Sequence, residues 1–329
     1  MKNRDVCRNV YRGLTSNPVF IATLILSVAM ILFVPSFSTV QNIRTIAQQF
    51  SYTGIAATGL AFVLIGGGND LSIGANISFS SIIAAQVMTR FMGAGNGSVL
   101  PGILASLAAG GMIGLFNGFC VSKIGMNAFI LTLITQMFCD GVSLLITNSV
   151  SIGGLPEAYI AIGTQSLFGI PLPILIMIAF FIVGQFVLAK TAYGRKLYTV
   201  GANKQAARLA GISVERIQIL AFVISGVCGA SAGIVLSARL GAATPSAGSN
   251  SMLEIMSAAI IGGNSLFGGK GSVVGAACGV VLLSLISNGL NLLGVSYYAT
   301  MMVKGSVILL AVALDYLNQK MRTRQMLKA

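Results

Sequence analysis

The chain has no histidine and no tryptophan, and only seven of its 329 residues are acidic. Without histidine, Ser-His-Asp catalysis and His-ligated metal sites are excluded. The five cysteines (Cys7, Cys120, Cys139, Cys228, Cys278) stand singly, and all but Cys7 fall in apolar stretches. That scatter indicates neither a disulfide framework nor a zinc site. Charged residues make up 8% of the chain, against roughly 25% in a soluble domain. No nucleophile–base set and no paired carboxylates at helical spacing are visible. The sequence therefore assigns no catalytic residue, no metal and no cofactor.

What fills the space is apolar: 55% hydrophobic residues, a mean hydropathy of +0.89 and 40 glycines. The expectation is an all-α polytopic membrane protein. Apolar spans run over 19–34, 51–67, 71–91, 99–122, 128–147, 170–189, 217–238, 251–263, 272–290 and 296–315. A helix needs about 20 residues to cross the hydrocarbon core, and only the eighth, broken by Gly262-Gly263, is clearly short. Ten spans place both termini on one side, and the charges agree. Lys2, Arg4, Arg8, Arg12, Lys123, six cations in 190–216, Lys270, Lys320, Arg322, Arg324 and Lys328 fall on that side. Arg44, Arg90 and Arg239 fall opposite, and Lys304 lies within the last span. Sixteen cations against three put both tails and the 190–216 loop in the cytoplasm by the positive-inside rule. The net charge of +13 thus records topology, not nucleic-acid binding. The expected organisation is a basic tail over 1–18, a membrane domain over 19–315 and a second basic tail over 316–329.

The longest polar interruption, 190–216, contains a short helix with both ends marked. Asn203 is a good N-cap, residues 204–210 (KQAARLA) are mostly strong helix formers, and Gly211 stands where a left-handed residue is wanted. A helix of about two turns is marginal by itself in water, so something must hold it, and a partner protein is the reading preferred here. The small residues Ala206, Ala207 and Ala210 would allow close approach, with Arg208 and Leu209 free to fill or pair in a groove. Gly194 and Arg195 lie in the same loop.

Glycines recur every fourth residue at Gly110, Gly114 and Gly118 and again at Gly271, Gly275 and Gly279. This spacing lets helix backbones approach closely. Ordinary packing accounts for each set alone. Together, as third members of two four-span units running in opposite directions, they are what an inverted-topology repeat would produce. Two glycine-rich turns, GGGNDLSIG (66–74) and GGNSLFGGKGS (262–272), read as tight cytoplasmic re-entries with Asp70 or Lys270 near water. Neither is a nucleotide site. Asn264 occupies the position where a phosphate loop needs glycine, and Gly271 follows Lys270 where it needs Ser or Thr.

Five ionisable residues lie inside or beside apolar spans: Asp70, Asp140, Glu254, Lys304 and Asp315. Such residues face a bundle interior or a wet cavity. Asp70, Glu254 and Asp315 are near span ends, where solvation or capping explains them; Asp140 and Lys304 sit deeper. Asn127, Thr132 and Gln136 place polar atoms along the fifth span near Asp140. Asn127, Thr132, Gln136, Asp140, Glu254 and Lys304 are accordingly the candidate pathway residues. Sugar hydroxyls would suit this stripe, and helix–helix hydrogen bonds explain it equally well.

The runs TAYGRKLYTVGANKQAARLAGISVERIQ, SGVCGASAGIVLSARLGAATPSAG, GGNSLFGGKGSVVG and NGLNLLGVSYYATMMVKGSVILLAVALD resemble the membrane permeases of bacterial ABC importers for monosaccharides, the ribose permeases most closely. GGGNDLSIG and NAFILTL (127–133) are similar in the first half, and departures fall at Asn69 and Asp140. The resemblance covers nearly the whole chain. It implies a non-catalytic ten-helix subunit of the bacterial inner membrane, paired with a second permease copy or a paralogue. An ATPase dimer would lie below it and a periplasmic sugar-binding protein above. It also implies that the 203–211 helix couples to the ATPase. The rival reading, a secondary transporter titrating Asp140 or Glu254, shares the membrane features but has few carboxylates and no histidine relay.

Overall fold

The computed structural model describes residues 18–296, 298–307, 309, 310 and 313. The basic tails, Asp315 and part of the tenth span lie outside the described residues. Helices dominate, and the sole strands among the described residues form a two-residue hairpin, β1 (Ser166–Leu167) with β2 (Ile170–Pro171). Five of the described helices are long and apolar enough to cross a membrane: α4 (Val99–Phe119, extended by flanking turns), α5 (Ala128–Thr147), α7 (Leu172–Lys190), α10 (Val214–Leu240) and α12 (Val273–Leu292).

The remaining helices show why the apolar spans were an imperfect guide. α1 (Pro18–Phe33) has 16 residues and opens on proline, whose missing N–H costs nothing at a helix start. α2 (Val40–Ile65) begins well before the apolar span that announced it, because its first turns carry Asn42, Arg44, Gln48 and Gln49. Thr39 caps it by accepting the Asn42 N–H. Asn42 is buried and exchanges amide hydrogen bonds with Asn288 of α12, at 3.0 and 2.8 Å. A polar residue whose partner sits on a distant helix can be buried, and hydropathy cannot register that. α3 (Ile73–Gln86) continues through a wide turn, Val87–Phe91, while α11 (Met252–Ile261) has only 10 residues, in keeping with the broken eighth span.

α10 is the central helix. In its most apolar window 72% of residues are buried, against 28% for α5 and 22% for α7. It packs on α2, α3 and α4 through a face of small residues. A Cβ at Gly110 of α4 would lie 2.5 Å from the Gly226 carbonyl oxygen, one at Gly114 would overlap the Phe222 carbonyl, and one at Gly118 would lie 2.8 Å from Ile219 Cα. The first glycine series therefore sets backbone against backbone. The second series is corrected at one position. Gly275 and Gly279 of α12 press on the α11 carbonyls of Gly262 and Ala258, but Gly271 is not on that helix. It precedes the cap Ser272 and has a φ of +143°, in space claimed by Asn264.

The packing has a crossed pattern. α4 lies on α10 and on α3, while α12 lies on α2 and on α11. One shared cluster fills the middle, with Ile55, Leu60, Phe62 and Leu64 of α2 against Phe222 and Cys228 of α10, Ala259 of α11 and Val280 of α12. At the end of α5, residues 148–171 form a loop tied to residue 243 by the Ile152–Ala243 bridge, with a short α6 (Glu157–Thr164) and the hairpin. Phe168, at the hairpin tip, is exposed.

Candidate functional site

The 190–216 loop holds two helices where the sequence announced one. α8 (Ala192–Ala202) starts at Thr191, whose hydroxyl accepts the Gly194 N–H. It buries Gly194, Leu197 and Val200. A Cβ on Gly194 would overlap the Leu188 carbonyl at the end of α7, so glycine is required there for close approach. Arg195 is exposed.

α9 (Lys204–Leu209) is the expected short helix. Asn203 Oδ1 accepts the Gln205 and Ala206 N–H groups at 2.9 and 3.0 Å. Gly211 has a φ of +76°, and the closing bonds Gly211 N–H to Arg208 O and Ile212 N–H to Ala207 O form a Schellman cap. Two details differ from expectation. Ala207 is completely buried against Val200 and Val214, so it faces its own chain and anchors the helix. Arg208 is paired with Glu215 at 2.8 Å, not free to fill a groove. Ala206, Leu209 and Ala210 are exposed, and Leu209 is 92% exposed on a helix of under two turns.

The loop meets both glycine-rich turns at one junction. A Cβ at Gly201, in the last turn of α8, would overlap the Ile65 carbonyl and lie 2.6 Å from the Gly269 nitrogen. The Gly269 N–H donates to Ile65 O at 2.9 Å, and the Tyr198 hydroxyl donates to Gly271 O at 2.8 Å. Lys270 is exposed, as expected. Asp70 is not: the turn before α3 folds inward and leaves it 4% exposed. Its carboxylate accepts from the Ser72 N–H and hydroxyl at 3.1 and 2.6 Å and from the Ser225 hydroxyl of α10 at 2.7 Å. Asn117 continues the chain, donating to Ser72 Oγ at 2.9 Å and accepting from Thr135 at 2.7 Å. This buried network joins α3, α4, α5 and α10. Only Asp70 stood out in the sequence, since a serine or an asparagine in an apolar span does not reveal its partner.

The candidate pathway residues are spread along the fold. Asn127 is the N-cap of α5, accepting from Phe129 and Ile130. Thr132 accepts the Leu71 N–H at 3.1 Å and so pins the Asp70 turn. Gln136 is half-buried, with its Oε1 lacking a donor among the described residues. Asp140 accepts from the Ser249 hydroxyl at 2.6 Å, and Lys304 donates to Glu254 at 3.0 Å, both half-buried. No hydrogen bond among the described residues links the Asp140 pair to the Glu254 pair. The stripe thus divides into helix-end ties (Asn127, Thr132) and two polar pairs beyond them.

The described residues thus form a helical bundle built on one central helix, with five helices long and apolar enough to cross a membrane and a polar loop between two of them. Residues 42–312 match the family described as the permease component of branched-chain amino acid transport systems, and the chain belongs to that family. It is 35% identical to a ribose import permease of Haemophilus influenzae over 97% of this chain and 99% of the relative. It is 36% identical to a D-allose transport permease of Escherichia coli, over 92% and 91% of the two chains. An L-arabinose transport permease of the same species is 34% identical over 90% and 89%. No solved structure matches the chain. The protein is a multi-pass membrane permease subunit.

Proposed function

We propose that the chain is the membrane subunit of an ATP-driven importer for a monosaccharide. A periplasmic binding protein would deliver the sugar and a separate ATPase would drive the cycle. Relatives named for ribose, D-allose and L-arabinose support the substrate class. Both termini and the 190–216 loop lie in the cytoplasm in this reading, with ten spans crossing the bacterial inner membrane and a second permease copy completing the path. Asp140 with Ser249, and Glu254 with Lys304, offer hydroxyl-binding groups along it. The observation that carries the coupling role is α9 itself. It is capped at both ends, anchored through Ala207, and presents Leu209 almost fully to water. Selective binding of one transporter conformation by the ATPase would then shift the population between outward- and inward-facing states.

The test is co-purification in detergent with ATP-dependent uptake in liposomes. Leu209→Glu should abolish recovery of the ATPase and uptake while leaving the thermal midpoint of the isolated chain unchanged. Full assembly and uptake by this variant would refute docking through α9. Uptake by the chain alone under an ion gradient would instead establish a secondary transporter.

A further inference from the structure

Beside α9 lies an open cavity of about 390 Å³, walled by the 67–69 turn, the end of α4, the start of α5 and the first turns of α10. Its size falls within the range of small-molecule sites, roughly 300–1,000 Å³. Its polar lining comes from Asn69, Ser122, Asn127, Lys204, Arg208 and Gln218, and no acidic side chain lines it. Two cations four residues apart on one short helix therefore face a common space without a counter-anion inside it. Arg208 uses Nη2 on Glu215, which is not a lining residue. The Lys204 amine has no hydrogen bond or ion pair among the described residues. Lys204 is solvent-exposed over part of its length, and partial desolvation and the adjacent Arg208 pull its pKa below the ordinary lysine value. Asn127 already covers the first N–H groups of α5, so the two cations and the amide side chains, not a bare helix end, define the ligand.

We propose that this cavity binds a phosphate monoester, with the phosphate between Lys204 and Arg208 and a small polyol along Asn69, Asn127 and Gln218. A lysine supplies a point charge and an arginine a planar donor fork, the two usual partners of phosphate. The occupant bridges α9 to α4, α5 and α10 from the open side of the pocket, so it ties the loop helix to the bundle. The site does not depend on what the permease transports. A phosphorylated sugar in solution and an anionic lipid headgroup share this chemistry.

The full chain in neutral phosphatidylcholine nanodiscs would be titrated calorimetrically with ribose 5-phosphate and, separately, with ribose. Saturable binding of the phosphate ester, at least tenfold weaker in Lys204→Gln and unchanged in Lys196→Gln, supports the site. Lys196 is an exposed cation of the same loop outside the cavity. A second titration in phosphatidylglycerol nanodiscs separates the sources. Native mass spectrometry showing one retained phosphatidylglycerol, lost in Lys204→Gln, with ribose 5-phosphate excluded, assigns the phosphate to lipid. No binding of either phosphate source overturns the proposal. So does equal weakening in Lys204→Gln and Lys196→Gln, which would mean diffuse charge attraction, or equal binding of ribose and its phosphate.

Discussion

Neighbouring glycines on α4 have opposite consequences for the fold. Gly114 meets the Phe222 carbonyl, whereas a Cβ at Gly111 would find only Val227 Cγ2 at an ordinary 3.6 Å. Gly114→Ala should therefore cost about 1–3 kcal/mol through overpacking, while Gly111→Ala should be neutral or stabilise by up to about 1 kcal/mol from helix propensity. Thermal unfolding in detergent, followed by circular dichroism because the chain has no tryptophan, distinguishes them. The Asn42–Asn288 amide pair gives a second residue-scale prediction. Asn42→Ala strands a buried amide and should cost about 1–2 kcal/mol. Replacing both residues by leucine should recover part of that, since the amide pair leaves together and only the Phe37 carbonyl loses its Asn42 donor, and a double-mutant cycle reads the difference. The sequence made Gly114 legible through spacing alone. It left Asn42 unreadable, because the partner that permits its burial lies 246 positions away.

At the scale of elements, α9 was legible and α8 was not, for one physical reason. Caps act within two to four residues of the groups they satisfy, so Asn203 and Gly211 announce α9 locally. α8 contains two glycines and is held by burial of Leu197 and Val200 against the rest of the protein, which no local pattern reports. The same distinction corrects the face of α9. Helix propensity treats Ala206, Ala207 and Ala210 alike, and only tertiary packing picks out Ala207 as the anchor. Ala207→Glu should therefore lower the thermal midpoint of the isolated chain, by burying an unpaired charge. Leu209→Glu should not. A midpoint unchanged in both variants would mean that α9 does not rest on Val200 and Val214 as described.

Across the whole molecule, hydropathy was enough to define the class, a multi-pass membrane protein. The interior polar network was not, because Ser72, Asn117, Thr135 and Ser225 become significant only once Asp70 is seen to turn inward. α4 packs on α10 and α12 packs on α2. Burial is uneven, with α10 and α12 72% and 67% buried in their apolar windows against 28% for α4 and α5 and 22% for α7. Glycine-to-backbone contacts join α4 to α10, and the one glycine of α5, Gly141, makes none. In the proposed importer, spin labels on α4 and α10 should therefore give one narrow distance distribution throughout ATP turnover, whereas labels on α5 and α10 should give two and so divide the bundle. A narrow α5–α10 distribution under turnover would contradict that division.

Backbones in direct contact leave no side chains between them to change rotamer. At Gly110–Gly226 and Gly262–Gly275 the helices meet with nothing that can compress, slide or interdigitate differently. Such seams are welds. The chain therefore carries two rigid pairs, α4 with α10 and α11 with α12, and whatever strokes the permease makes must move each pair as one piece.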